Sequence, residues 1–365
     1  MNYRDDTQIS FVSLGLNKHE KDKYNNNLAY YNKKISRILS DARKRSKNSQ
    51  CYVCKKQVNS FCNSHSVPQF CLRRIAVNGK VQISGFPSDF PYLGNNCGVN
   101  SAGTFYIICR ECDSKIFQEY EKPSTYDEKP SGQVLAQIAM KNYLQMIYKR
   151  QLEQEIYSIL EEKNPNAINA DGIHKTQTLD LKEYIACYER ARIASNGHHD
   201  NWYNLFYYKK LDYTVPMAFQ GQVALVCDFD KTFVNNIYNN SPKYKIQDLQ
   251  IAVFPLAHES VIMAFVDSRN KRYNNFIKKF KSLEELDQLS IINFIIFKYS
   301  ENVFLSTDLP TDVLENPEFK NVCESTNVVK TTNPFANLSK PAAEYFDLAK
   351  HKNIPNLLSP EYALK

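Results

Sequence analysis

Two cysteine pairs, Cys51-Tyr-Val-Cys54 and Cys109-Arg-Glu-Cys112, carry the clearest chemistry in this sequence. In a CxxC spacing a tight turn aims two thiolates at one ion, and two such pairs supply the ligands of a tetrahedral structural Zn2+. Between the pairs lie 54 residues, more than a zinc-ribbon gap, so the intervening segment is expected to be an insertion with its own task. It contains Asn63-Ser64-His65-Ser66-Val67-Pro68, and directly after the second pair come Asp113, Phe117 and Glu121. A histidine in a polar turn between zinc knuckles can serve as a general base, and a carboxylate at the start of the next helix can hold a divalent ion. Plainer readings stand beside these. His65 can be a structural residue bonded to a carbonyl or to the zinc, and Asp113 can cap its helix. Cys62, Cys71 and Cys97 read as packed or free thiols.

This order of residues resembles the HNH, or ββα-metal, nuclease module. There a CxxC hairpin, a histidine followed by an apolar-Pro step, and a second CxxC with a ligand directly after it build one site. The resemblance spans roughly residues 50–121. It is similar in more detail to a bacterial group with the layout CxxC, SHxVP, a long insert ending in an aromatic strand, then Cys-x-x-His/Cys-Asp with Phe and Glu following. Those positions are here Cys51 to Cys54, Ser64 to Pro68, Gly103-Thr-Phe105, Cys109 to Asp113, Phe117 and Glu121. The resemblance implies a metal-dependent nuclease acting as an effector of phage defence, with nucleic acid as partner and DNA favoured over RNA. His65 would activate water, while Asp113, and possibly Glu121, would hold a catalytic Mg2+ or Mn2+. The family's aspartate before the histidine is replaced by Ser64, and its middle asparagine by Thr104. A non-catalytic zinc-stabilised module binding nucleic acid or protein, or a sensor subunit of a defence system, is the alternative.

The elements around these motifs follow from charge and periodicity. The chain has 365 residues and a formal charge of +7, yet residues 1–60 alone sum to +8. A helix is expected there from the spacing of Leu28, Ile35, Ile38 and Leu39. It would carry Arg37, Arg43, Lys44, Arg45 and Lys47 as contacts to a phosphate backbone, or simply as a solvated face. Downstream, the sequence predicts strands at 80–84 and 104–108, a helix from Asp113, a long buried helix over 133–163, and another around 179–195. It then predicts strands at 222–228, 250–255 and 260–266, helices at 274–280 and 282–299, a strand at 302–306, and a loosely packed tail with a short helix at 342–350.

The fold class expected is α+β: a zinc-stapled HNH-like ββα module followed by a helical segment and a mixed α/β C-terminal region. The expected divisions are a basic helical arm (1–48), the zinc module (49–125), a helical region (126–210), the mixed α/β domain (211–335) and a tail (336–365). Only 10 glycines are present, with neither a GxGxxG nor a Walker-type loop, which argues against nucleotide-cradling folds. Asp228-Phe-Asp230-Lys-Thr232 has DxDxT spacing but lacks a downstream acidic pair in a parallel α/β series. His198, His199 and His258 read as loop residues. No apolar run approaches the roughly 20 residues of a membrane span, so no membrane partner is expected. The N-terminus lacks a secretory signal, so a cytoplasmic protein with reduced thiols is expected, with a regulatory partner or a homo-oligomer possible.

Overall fold

The computed structural model describes residues 10–11, 27–84, 95–163, 170–237, 239, 241–300, 302–324, 329–330 and 343–364. Most of the stretch before Asn27 therefore lies outside the described residues, except for a two-residue strand β1 (Ser10–Phe11). Helix α1 (Leu28–Arg45) buries Ile38 and Ala42, four apart on one face, against Ile159. Its last turn is Arg43, Lys44 and Arg45, cations that complement the negative end of the helix dipole.

The segment carrying the two cysteine pairs, expected to bind zinc and called the zinc segment for that expectation, contributes β2 (Ser64–His65), α2 (Gln69–Ile75), β3 (Lys80–Ser84), β4 (Asn95–Gly98), β5 (Thr104–Phe105) and α3 (Arg110–Phe117). Strands β2 and β5 pair antiparallel, with Ser64 opposite Phe105 and His65 opposite Thr104. Two long helices follow, α4 (Gly132–Lys163) and α5 (Ala170–Ala194). They precede β6 (Tyr203–Leu211), β7 (Met217–Val223), β8 (Leu249–Pro255) and β9 (Ser260–Asp267). The described chain continues with α6 (Asn274–Lys281), α7 (Glu285–Tyr299), β10 (Val303–Leu305), α8 (Thr311–Glu315), α9 (Pro317–Glu324) and β11 (Val329–Lys330), which pairs with β1.

A seven-stranded antiparallel sheet of order β4-β3-β10-β7-β8-β9-β6 organises the molecule. Strands β4, at one edge, and β3 beside it come from the segment between the two cysteine pairs, and β10 joins them to the other strands. The sheet is the middle of three layers. Ala252 and Phe254 of β8, with Val261, Met263 and Phe265 of β9, face the zinc segment, α4 and α5. The alternate residues Ile251, Val253, Ile262 and Ala264 face α6, α7 and the C-terminal segment. Two covered faces explain why β8 and β9 are buried at every position, whereas an antiparallel strand with one wet face alternates. The fold is mixed α+β, and no helix among the described residues is long and apolar enough to cross a membrane.

The structure departs from the sequence reading in four places. The strand expected at 104–108 is only Thr104–Phe105. Within the region expected to be helical (126–210), the Tyr/Phe-rich stretch after Asn201 is strand β6. The strand expected at 222–228 lies earlier, ending at Val223. Leu225, Val226 and Cys227 are buried outside the sheet: Val226 O accepts from Val234 N (2.9 Å), Cys227 makes an isolated bridge with Phe233, and side chains satisfy Leu225. Tyr273 Oη accepts from Leu225 N (3.1 Å) and Asn235 Nδ2 donates to Leu225 O (2.9 Å). A buried apolar run can thus be a loop when neighbours supply its hydrogen bonds. The tail is packed where it is described: Leu348, Leu357 and Leu358 are buried against the sheet's second face. Asn293 of α7 donates to Pro355 O (2.9 Å) and accepts from Leu357 N (3.1 Å).

Candidate functional site

Local backbone bonds form the cysteine knuckles. Lys55 sits in the left-handed region at φ 60°, closing a turn in which its N–H reaches Cys51 O at 2.9 Å. Tyr52 N and Cys62 N then bond Ile107 O and Ile108 O, each at 2.8 Å, drawing the first pair onto the segment that leads from β5 into the second. Cys109 is the N-cap of α3, its sulfur accepting from Cys112 N at 3.5 Å. The Sγ atoms of Cys51, Cys54, Cys109 and Cys112 all lie within 4.8 Å of one another. Tetrahedral Zn–S bonds of about 2.3 Å place ligand sulfurs roughly 3.8 Å apart, and Cys54 and Cys109 stand at 3.9 Å. Burial raises the Cys51 thiol, but N–H groups of Cys54, Cys109 and Val53 aimed at it bring it down to about 7, toward the thiolate a metal binds. The donor set fits zinc.

The other expected site residues gather beside this centre. His65 is partly buried, its Nε2 3.1 Å from Val99 O. A carbonyl only accepts, so Nε2 carries the proton and Nδ1 keeps a lone pair. Burial lowers the His65 pKa below the usual histidine value. Lys141 and Arg73 act in the same direction, while the Val99 bond and Asp113 oppose them. Neutral His65 at pH 7 has the form of a base.

Asp113 lies in the first turn of α3, whose cap is Cys109; the capping role considered for Asp113 therefore falls to the cysteine. Glu121 sits one turn beyond the helix, its N–H bonded to Phe117 O at 3.1 Å. The expected spacing of four does bring both carboxylates to one side, but what lies between them is an ammonium. Lys141 Nζ is 2.7 Å from Asp113 Oδ1 and 3.1 Å from Glu121 Oε1, with its side chain 0% exposed. Ser64 Oγ donates to the same Oδ1 at 2.7 Å, and Cys62 Sγ to Oδ2 at 3.4 Å. Burial works against ionisation of Asp113, but Lys141, Ser64 and Cys62 outweigh it and hold the carboxyl below its ordinary value. For Glu121 burial wins, and its value is raised despite Lys141. Three donors thus occupy the Asp113 oxygens. These residues do not fit a Mg2+ or Mn2+ ion, which would need to displace a buried ammonium and bind without the aspartate that Ser64 replaces.

Lys141 was the residue that motif reading missed. Its signal was present: a lysine within the apolar run from Val134 to Leu144, on the stripe of Ile138 and Leu144, must find an anion when the helix is buried. Arg73 of α2 was missed as well. It is exposed, donates to Gln69 Oε1 at 2.9 Å, and lines a cleft of about 330 Å³ with Gly79, Gly98, Val99 and Asn100.

Of the basic residues on and after α1, Arg37, Arg43, Lys44, Arg45 and Lys47 are all exposed. Arg45 forms a bidentate pair with Glu162 at 2.5 and 2.9 Å, and Lys44 lies 3.6 Å from Asp41. Arg43 lies within electrostatic reach of Tyr148, which packs edge-on against Tyr106 at 6.2 Å. Tyr106 in turn bonds Thr104, opposite His65 in the β2–β5 pair. The end of the basic helix therefore lies near the strand pair that carries the histidine. The DxDxT-like segment is a capped loop: Asp228 Oδ1 accepts from Asp230 N (2.9 Å) and Thr232 N (3.0 Å). His199 stacks on Trp202 at 4.0 Å, beneath Arg190, which also pairs with Asp267. No protein-family model matches the chain, and neither a curated protein nor a solved structure matches it significantly.

Proposed function

We propose that this protein cleaves phosphodiester bonds of nucleic acid, through an HNH-like module that zinc staples together and in which His65 is the general base. One observation carries the reading. The antiparallel pair β2–β5 followed by helix α3 holds His65 with Nε2 on a carbonyl and Nδ1 free, beside Asp113 and within electrostatic reach of Arg73. In the ββα arrangement a histidine in that position takes a proton from the nucleophile, and a nearby cation bears the charge that develops on phosphorus oxygens. Zinc on the four cysteines would fix the angle between strand pair and helix. The exposed basic residues at the end of α1 would hold the backbone next to the strand pair. A setting in phage defence rests on the motif resemblance alone.

A second reading is favoured by a specific observation. Ser64 and Lys141 together close off Asp113, which suits a zinc-stabilised module that binds nucleic acid without cutting it.

The deciding experiment incubates zinc-loaded protein and its His65→Ala variant with supercoiled plasmid, linear DNA and structured RNA, with and without Mg2+ or Mn2+. Loss of cleavage by about 10²- to 10⁴-fold in His65→Ala, with an unchanged circular dichroism spectrum, is expected. Retention of nucleic-acid binding with no cleavage by the wild type under any condition would transfer the assignment to the binding module.

A further inference from the structure

The carboxylate pair that would hold a catalytic metal already holds a cation of the protein's own. Lys141 projects from the middle of α4, a helix enclosed on several sides, and has no side-chain exposure. Its Nζ meets Asp113 and Glu121 and lies 4.1 Å from the centroid of the Phe117 ring, so the charge is fixed on three sides. Neither a divalent ion nor substrate reaches it without unpacking α4. Lys141 is thus a positioning residue, neutralising Asp113 beneath the histidine.

That arrangement restricts the chemistry available. A bound metal brings the pKa of water from 15.7 to about 7, and a neutral imidazole alone supplies no comparable activation. A nucleophile already attached to the substrate avoids the need, because a neighbouring hydroxyl reacts as though present at roughly 10⁵–10⁸ M. Among nucleic acids, RNA carries such a group beside every phosphodiester, and DNA lacks it. A cleft connected to His65 through Val99 suits the same substrate. Its wall includes Val99, whose carbonyl anchors the imidazole through Nε2, and exposed Arg73, steadied by Gln69, which in turn bonds Asn100 at 3.1 Å. A guanidinium so placed can take two oxygens of one phosphate.

Accepting the phosphodiester-cleaving reading, on which this step rests, we propose that Lys141 permanently takes the place of the metal and that the site cleaves RNA through the substrate's own 2′-hydroxyl, without a divalent ion. His65 Nδ1 takes the proton from O2′, the O2′–P bond forms, and the P–O5′ bond breaks. The departing O5′ takes a proton from water, and the resulting hydroxide is neutralised by the proton from His65. The products are a 2′,3′-cyclic phosphate and a 5′-hydroxyl end. Arg73 holds the non-bridging oxygens throughout.

The test uses the full chain with verified zinc in buffer freed of Mg2+ and Mn2+. One oligonucleotide sequence is presented as RNA and as its all-2′-deoxy counterpart. Expected are cleavage of the RNA alone, cyclic-phosphate ends by mass spectrometry, loss in His65→Ala, and a roughly 10²-fold fall in kcat/KM in Arg73→Ala. Added Mn2+ should give an undiminished free-ion electron paramagnetic resonance signal with wild type and with Lys141→Arg. Lys141→Ala, if it folds, should bind the ion at the vacated carboxylates. Cleavage that appears only with added Mg2+ or Mn2+, or that takes DNA as readily as RNA, overturns this inference and leaves the nuclease reading intact. Mn2+ bound at Asp113 in the wild type overturns it independently. No cleavage of any nucleic acid, with or without metal, removes the nuclease reading and this inference with it.

Discussion

Lys141 sets two carboxylates and a ring around one buried charge, so its removal costs more than a contact. Lys141→Ala leaves Asp113 and Glu121 facing each other without a counter-charge. A loss of roughly 3–5 kcal/mol in urea unfolding is expected, the range for breaking a buried pair from one side. Lys141→Arg, which keeps the charge, should lose less. A second buried group gives a pH signature. Asp248 is enclosed between α4 and the sheet; burial first, then Glu183, Asp180 and Asp267, raise its pKa to about 7 against a Tyr143 bond that lowers it. The unfolded value is about 3.9. A raised acid binds its proton more tightly when folded, so its stabilising contribution is complete below about pH 4 and is lost as pH rises toward 7. Asp248→Asn should therefore add roughly 2–4 kcal/mol at pH 8 and little at pH 4. An equal effect at both pH values would exclude a titrating Asp248. At this scale the sequence showed the cysteines and His65 directly, since CxxC spacing is a local property. It showed Lys141 only as a charge in an apolar stripe, because nothing local names the two carboxylates 28 and 20 residues away.

Among the elements, the antiparallel pair β2–β5 depends on one glycine. Gly103 has φ +63°, and a Cβ there would meet Ser66 Oγ at 2.5 Å and Phe304 Cζ at 2.6 Å. Ser66 N bonds Gly103 O at 2.9 Å, and Ser66 Oγ accepts from Asn302 Nδ2 at 2.9 Å, so the turn at Gly103 seats the pair on β10. Gly103→Ala combines a left-handed backbone cost with overpacking, and should destabilise by roughly 2–4 kcal/mol while lowering activity more than His65-independent binding. A melting curve equal to wild type would show that the turn relaxes. The long helix α4 and strands β8 and β9 were readable from apolar periodicity. Strand β6 was not, because its Tyr-rich composition alternates weakly, and β7 was displaced because Leu225 to Cys227 are buried without being laddered.

For the whole molecule, the zinc segment and the sheet share strands and a core. Strands β3 and β4 extend the sheet through β10, and Phe254 of β8 packs edge-on against Phe70 of α2 at 6.4 Å and Tyr126 at 5.1 Å. Metal binding at the four cysteines would therefore be coupled to folding of the sheet beyond the knuckles. Removing zinc, or replacing Cys51 with Ser, should lower the melting temperature of the whole described fold in one transition. Two separate transitions, with the sheet unmoved, would show that the segments fold independently.

The sequence by itself determined the four cysteines whose spacing suits zinc, the position of a candidate base, the basic character of α1, and the long buried helices. Each depends on spacing within a few turns of chain, where geometry follows from residue identity. Only the tertiary structure decided that the acidic pair is already neutralised, that β3 and β4 belong to the main sheet, and that the chain's end is core. Those outcomes depend on which distant groups meet when two faces of a sheet are covered. A carboxylate in the sequence looks the same whether its counter-charge is an ion or a lysine, and only packing chooses between them.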